Sequence, residues 1–122
     1  MSVVNKYHFG EITFHDNYMI AVMNEGITIS LVLNNELYDI ARSYFNDNKF
    51  VYITHRKNSY SVDPNVYFET VKIKNLVGFA VVFGDTVQID NTDFERTFIS
   101  IPFKSFNNID EATSWGNYLC CS

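Results

Sequence analysis

The sequence predicts an α/β domain: a mixed sheet of four to five strands that opens with an antiparallel hairpin and carries about four helices packed on it. Three observations predict this. Two nearly unbroken apolar runs, Phe50-Val51-Tyr52-Ile53 and Leu76 through Phe83, are too dry for a sheet with one wet face and suit covered, largely parallel strands. Segments with helical spacing alternate with those runs, the order that builds right-handed βα units. The 122 residues are about one domain's worth, and 47% apolar with 16% aromatic residues can fill a dense core. No repeat, linker or low-complexity stretch divides them, so residues 1–122 read as one domain.

The hairpin comes first. Tyr7 to Phe14 places Phe9, Ile12 and Phe14 among polar residues, His15-Asp16-Asn17 is turn chemistry, and Tyr18 to Met23 resumes an extended pattern. Asn24-Glu25-Gly26 ends it, and the β-branched stretch from Ile27 to Leu33 reads as extended. Leu37, Ile40, Ala41, Tyr44 and Phe45 then share one helical face opposite Glu36, Asp39, Arg42 and Ser43. Asn34 or Asn35 is the expected cap, and Asn46-Asp47-Asn48 the stop. Lys49 to Thr54 is the first buried strand.

Asp63 as N-cap and Pro64 at the first helical position start a second helix, with Val66, Tyr67, Thr70 and Val71 inward and an end near Lys74-Asn75. Leu76 to Phe83 is the second buried strand, broken by Gly84-Asp85. A helix capped by Asp85 would carry Val87, Phe94 and Phe98 on one side. Ile101 to Phe106 is a short strand, placed at an edge because Pro102 lacks the ladder donor. Asn108 and Glu111 have capping-box spacing, and Ile109, Ala112, Trp115 and Leu119 stripe the closing helix.

Charge and composition remove several function classes. A net charge of −5 and a pI near 5.0 lack the positive footprint that nucleic acid requires. No run approaches the roughly 18 apolar residues of a membrane span. Met-Ser-Val-Val-Asn-Lys lacks the blocks of a signal peptide, so the cytoplasm is the expected compartment. Cys120 and Cys121 are neighbours at the tail, read as reduced thiols without structural duty. His8, His15 and His55 have no metal-ligand spacing, and no phosphate-binding glycine motif occurs, so neither metal nor cofactor is expected.

The densest polar chemistry lies between the first buried strand and the second helix: His55, Arg56, Lys57, Asn58, Ser59, Tyr60 and Ser61, closed by Asp63-Pro64. Strand-to-helix junctions of this kind collect ligands. Ser59 or Ser61 with His55 and Asp63 has the residue types of a hydrolase, but no Gly-x-Ser-x-Gly turn accompanies them, and the expectation is a protein that is not an enzyme. Two readings of the junction stand. In the preferred one, its polar side chains bond the loop's own backbone and Arg56 pairs with a nearby carboxylate. In the other, His55, Arg56, Asn58, Ser59, Tyr60 and Ser61 line a pocket mouth suited to a carboxylate or phosphate. The aromatics divide similarly. Phe9, Phe14, Phe45, Phe50, Phe79 and Phe83 fill a core, or some of them line a cavity, while Tyr38, Tyr60, Tyr67 and Tyr118 suit an interface.

The order of elements, together with Tyr52 through Pro64, Val77-Gly78-Phe79-Ala80-Val81-Val82 and Phe106 through Trp115, resembles the SpoIIAA-like branch of the STAS superfamily, over about Tyr7 to Leu119. Its fold is related to that of the lipid-transfer CRAL-TRIO domain. The resemblance implies a SpoIIAA-like (STAS-type) fold, a small bacterial domain, and a non-catalytic module that binds proteins or nucleotides. It also implies phosphorylation of a serine at the second helix's amino end, where Ser59 and Ser61 roughly lie. This chain departs from the family's Asp-Ser-Ser-Gly-type signature, with the Asp63-Pro64 cap in its place. A phosphate on Ser61 would repel Asp63, while His55, Arg56, Lys57 and the helix dipole would favour it.

The leading expectation is therefore a non-enzymatic protein-interaction or regulatory module acting on an unidentified protein partner. The alternative is a carrier of a small apolar or anionic ligand, or of a lipid, in an apolar pocket gated by the 54–63 loop. A homodimer is expected if the edge strand or hairpin is left uncovered.

Overall fold

The computed structural model describes residues 3–56, 61–63, 65–70, 73–83 and 101–121. In chain order they form β1 (Val3–Tyr7), β2 (Gly10–Phe14), β3 (Tyr18–Met23), β4 (Thr28–Ile29), α1 (Leu31–Phe45), β5 (Phe50–Arg56), β6 (Ser61–Val62), α2 (Asn65–Thr70), β7 (Leu76–Phe83), β8 (Phe103–Phe106) and α3 (Ile109–Cys121). One six-stranded sheet has the order β1-β2-β3-β5-β7-β8, and β4 and β6 form a separate two-stranded ladder. The first three strands are antiparallel; β3, β5, β7 and β8 are mutually parallel. The mixed sheet with its N-terminal hairpin is as expected. It has six strands rather than four to five.

The extra strand is β1, which precedes the expected first strand and overlaps it only at Tyr7. Tyr7 to Phe14 is not one strand: His8 and Phe9 turn the chain, and Tyr7 pairs with Gly10 across that turn. Gly10 is required there, because a Cβ would run into the Val22 carbonyl on β3 and its φ is +156°. Among the described residues, α1 and α3 are full helices and α2 has six residues, against about four expected; the helix expected from Asp85 lies outside the described residues.

The extended stretch from Ile27 to Leu33 shrinks to Thr28–Ile29, because Ser30 caps α1 in place of Asn34 or Asn35. Its Oγ accepts the Leu33 N–H at 3.2 Å, a standard N-cap bond. Leu33 then sits one turn before Leu37, and both are buried with Ala41 and Phe45. Burial of that stripe overrides the local β propensity of Leu31-Val32-Leu33. Asn46, with φ +54°, ends α1, and the Asn75 side-chain amide holds that end by donating to the Asn46 and Asn48 carbonyls at 3.0 and 2.8 Å.

The sheet is covered on both faces. α1 and α2 lie over one, where Ile12, Phe14, Met19, Ala21, Phe50, Phe79 and Val81 meet Leu37, Ala41, Phe45 and Val66. α3 covers the other, where Val51, Ile53, Ala80, Val82 and Phe106 meet Ala112, Trp115 and Leu119. The closing helix starts as expected, with the Asn108 side chain accepting from Glu111 N at 2.9 Å. Cys120 does have a structural contact: its thiol donates to the Asn17 carbonyl at 3.3 Å, joining α3 to the β2–β3 turn. β8 begins at Phe103 rather than Ile101, so Pro102 precedes it; among the described strands β8 and β1 are the two ends of the sheet. Among the described residues, no helix is long and apolar enough to cross a membrane.

Candidate functional site

The site follows from the alternation of β5. Side chains two apart share a face, so Phe50, Tyr52, Thr54 and Arg56 point beneath α1 and α2, while Val51, Ile53 and His55 point beneath α3. The strand continues to Arg56, two residues past its expected end, which puts His55 and Arg56 in ordered strand rather than in a loop. They therefore face opposite sides of the sheet and do not form one site.

Arg56 lines a pocket between β5 and the α1–α2 pair. About 50 Å³ remains unfilled there. Met19, Phe50 and Phe79 form its floor, Leu37 and Ala41 its α1 wall, and Val66 and Ile73 its α2 side. Polar groups enter at a few points: Arg56 and Thr54 from β5, Tyr52 below them, and Asn34 and Tyr38 from α1. Thr54 is 2% exposed, and the Nε of Arg56 is fully buried. A guanidinium stays charged under all ordinary conditions, so the pocket has a fixed cation at the carboxyl end of β5.

A second recess of about 200 Å³ lies outside the first, between Asn34, Asn35 and Tyr38 of α1, Glu69 of α2, and Ile73. The two recesses share Asn34, Tyr38 and Ile73 and adjoin across them. Tyr38 is partly open to solvent, with the Arg42 guanidinium 5.6 Å from its ring centre. Sequence reasoning placed Asn34 as a cap and Tyr38 at an interface and missed both as lining residues. The signal was available: Asn34, Tyr38 and Ala41 recur at helical spacing beside the buried Leu37.

The remaining junction residues are distributed as follows. Ser61 is exposed in β6, where its backbone N–H donates to the Ile27 carbonyl at 3.0 Å and its strand pairs with β4. The Asp63 carboxylate accepts the Asn65 N–H at 3.0 Å, so it caps α2 as expected. Lys57, Asn58, Ser59, Tyr60 and Pro64 lie outside the described residues, and four of them fall in the expected 54–63 gate, whose other residues are in β5, in β6 or at Asp63. Of the aromatics expected in the core, Phe9, Phe14, Phe45, Phe50 and Phe79 are buried.

The other histidines have local partners. His8 contacts the Glu36 carboxylate at 2.9 Å, fastening the β1–β2 turn to α1. His15 stacks on Tyr18 with ring centres 4.5 Å apart. Burial lowers the His15 pKa, opposed by the Asp16 carboxylate; burial also raises the Tyr18 pKa, opposed by a hydrogen bond to Thr113.

No family model and no curated protein matches the chain. Among solved structures, it is similar to an uncharacterized protein of the DUF3478 family with a SpoIIAA-like fold from Shewanella loihica PV-4. That similarity has a TM-score of 0.50 at 14% identity and covers 98% of this chain and 93% of the other. The fold is SpoIIAA-like, and a similarity at this identity concerns the fold alone.

Proposed function

We propose that the chain is a non-enzymatic regulatory module that binds a small ligand in the pocket between β5 and the α1–α2 pair. One observation carries the reading: an apolar pocket into which a fixed cation, a buried hydroxyl and two tyrosines converge, the composition of a small-molecule site. The sequence ranks a protein partner first, and this observation reverses the order. Its size favours a small occupant, because a drug- or lipid-sized molecule needs several hundred Å³. Native mass spectrometry of the gently purified chain, with a thermal-shift screen of small organic acids, alcohols and amines, is the test. A retained mass or a raised Tm supports the reading; an empty spectrum and a flat screen remove it.

The protein-interaction reading draws support from the outer surface of α1, where Leu31 and Val32 are exposed apolar residues and Val32 retains 78% of its accessible surface. Replacing both with serine should leave folding intact and abolish partner recovery in a pull-down, and equal recovery by the variant would end that reading. The edge strand β1 bears on the homodimer expectation. All its residues but Tyr7 are exposed, and the same native spectrum reports any second copy.

A further inference from the structure

We propose that the ligand is a short-chain carboxylate, its head on Arg56 and its tail among Leu37, Ala41 and Val66. This rests on the reading of the pocket as a ligand site. Arg56 is the charged residue among the described lining residues of this pocket, and its group suits an anion. Its guanidinium presents five N–H donors in a fork that matches a carboxylate, so it serves a ligand alongside its protein partners. Thr54, two residues back on the same face and buried, offers a hydroxyl at the same end.

The rest of the lining is apolar, which sets the character of the remainder of the molecule. A phosphate dianion would meet one cation and mostly hydrocarbon, a poor exchange for its hydration, whereas a monoanion with an alkyl tail satisfies both ends. Size sets the length. At 10–15 Å³ per water-sized sphere, about 50 Å³ holds roughly three to five waters, or a chain of about two to five carbons.

The experiment follows the methyl resonances of Met19, Leu37, Ala41 and Val66 in the full chain during separate titrations with butyrate, butanol, butylamine, phosphate and octanoate. Butyrate is expected to shift them together and saturably, and butanol to bind roughly ten- to a hundredfold more weakly, the worth of hydrogen bonds to a charged group. Arg56→Gln should erase that preference, and Arg56→Lys, which keeps the charge without the fork, should fall between. Should Arg56→Gln fail to fold, the butyrate-to-butanol comparison on the unaltered chain decides alone. Butanol binding as tightly as butyrate, octanoate binding more tightly than butyrate, or phosphate binding in butyrate's place would overturn the carboxylate assignment and leave the pocket reading standing. If none of the five moves those methyls, both fall.

Discussion

Gly78 shows how closely the α3 face is packed. It lies on β7 under the closing helix, where an added Cβ would come 2.5 Å from Leu119 Cδ1 and 3.2 Å from Trp115 Cη2. Leu119 ends in a flexible chain and can rotate, whereas the Trp115 ring, tilted against Phe106 at 5.6 Å, has less freedom. Gly78→Ala should therefore destabilise by about 1–3 kcal/mol, the usual cost of overpacking, read as a lower urea midpoint at unchanged slope. Gly10→Ala should cost more, since the obstacles there are the backbone of Val22 and Met23. His15 adds a pH dependence. Its folded pKa is depressed, so the unfolded chain binds its proton first, and stability present above the unfolded pKa of about 6.5 declines as pH falls toward the folded value. His15→Gln should flatten the slope of Tm against pH in that window; an unchanged slope would exclude His15 as its source.

Elements reveal why parts of the molecule were legible and others were not. Strands β5 and β7 were readable because burial on both faces leaves an unbroken apolar run, and α3 because Asn108 and its apolar stripe agree. The start of α1 was hidden: Leu31-Val32-Leu33 resembles a strand locally, and only the distant sheet that buries Leu33 decides for helix. Ser30→Ala should cost about 1 kcal/mol by removing the cap on Leu33 N, while Asn34→Ala, at the expected cap, should leave that bond untouched. Helical circular dichroism through thermal unfolding distinguishes the two. β1 was hidden for a different reason. Its side chains are mostly exposed and carry no alternation of burial, so its place comes from backbone groups that β2 offers, which no side-chain pattern reports. The site was half legible. Its polar residues drew attention to His55 and Arg56 together, but strand alternation separates them, and that separation depends on where β5 ends.

At the scale of the whole molecule, the question is why a domain this well packed keeps unfilled space beside a cation. On the α3 face, Val51, Ile53, Ala80 and Val82 are completely buried, with Gly78 cut back to admit Trp115 and Leu119. On the other face, the same sheet leaves about 50 Å³ under α1 and α2. A packing defect and a ligand site respond differently to filling. Val66 is 3% exposed and lines the space from α2, so Val66→Ile adds one methylene to it. Burial of that group is worth about 0.8 kcal/mol, and the β-branched shape is retained, so the variant should match or exceed the parent in urea stability by up to about 1 kcal/mol. A site kept for a ligand gives up that stability for function. The stabilised Val66→Ile chain should then bind butyrate more weakly than the parent in the methyl titration. Stabilisation with undiminished butyrate binding would place the ligand elsewhere, and destabilisation would mean that α2 cannot accommodate the added group beside Ile73 and Phe79.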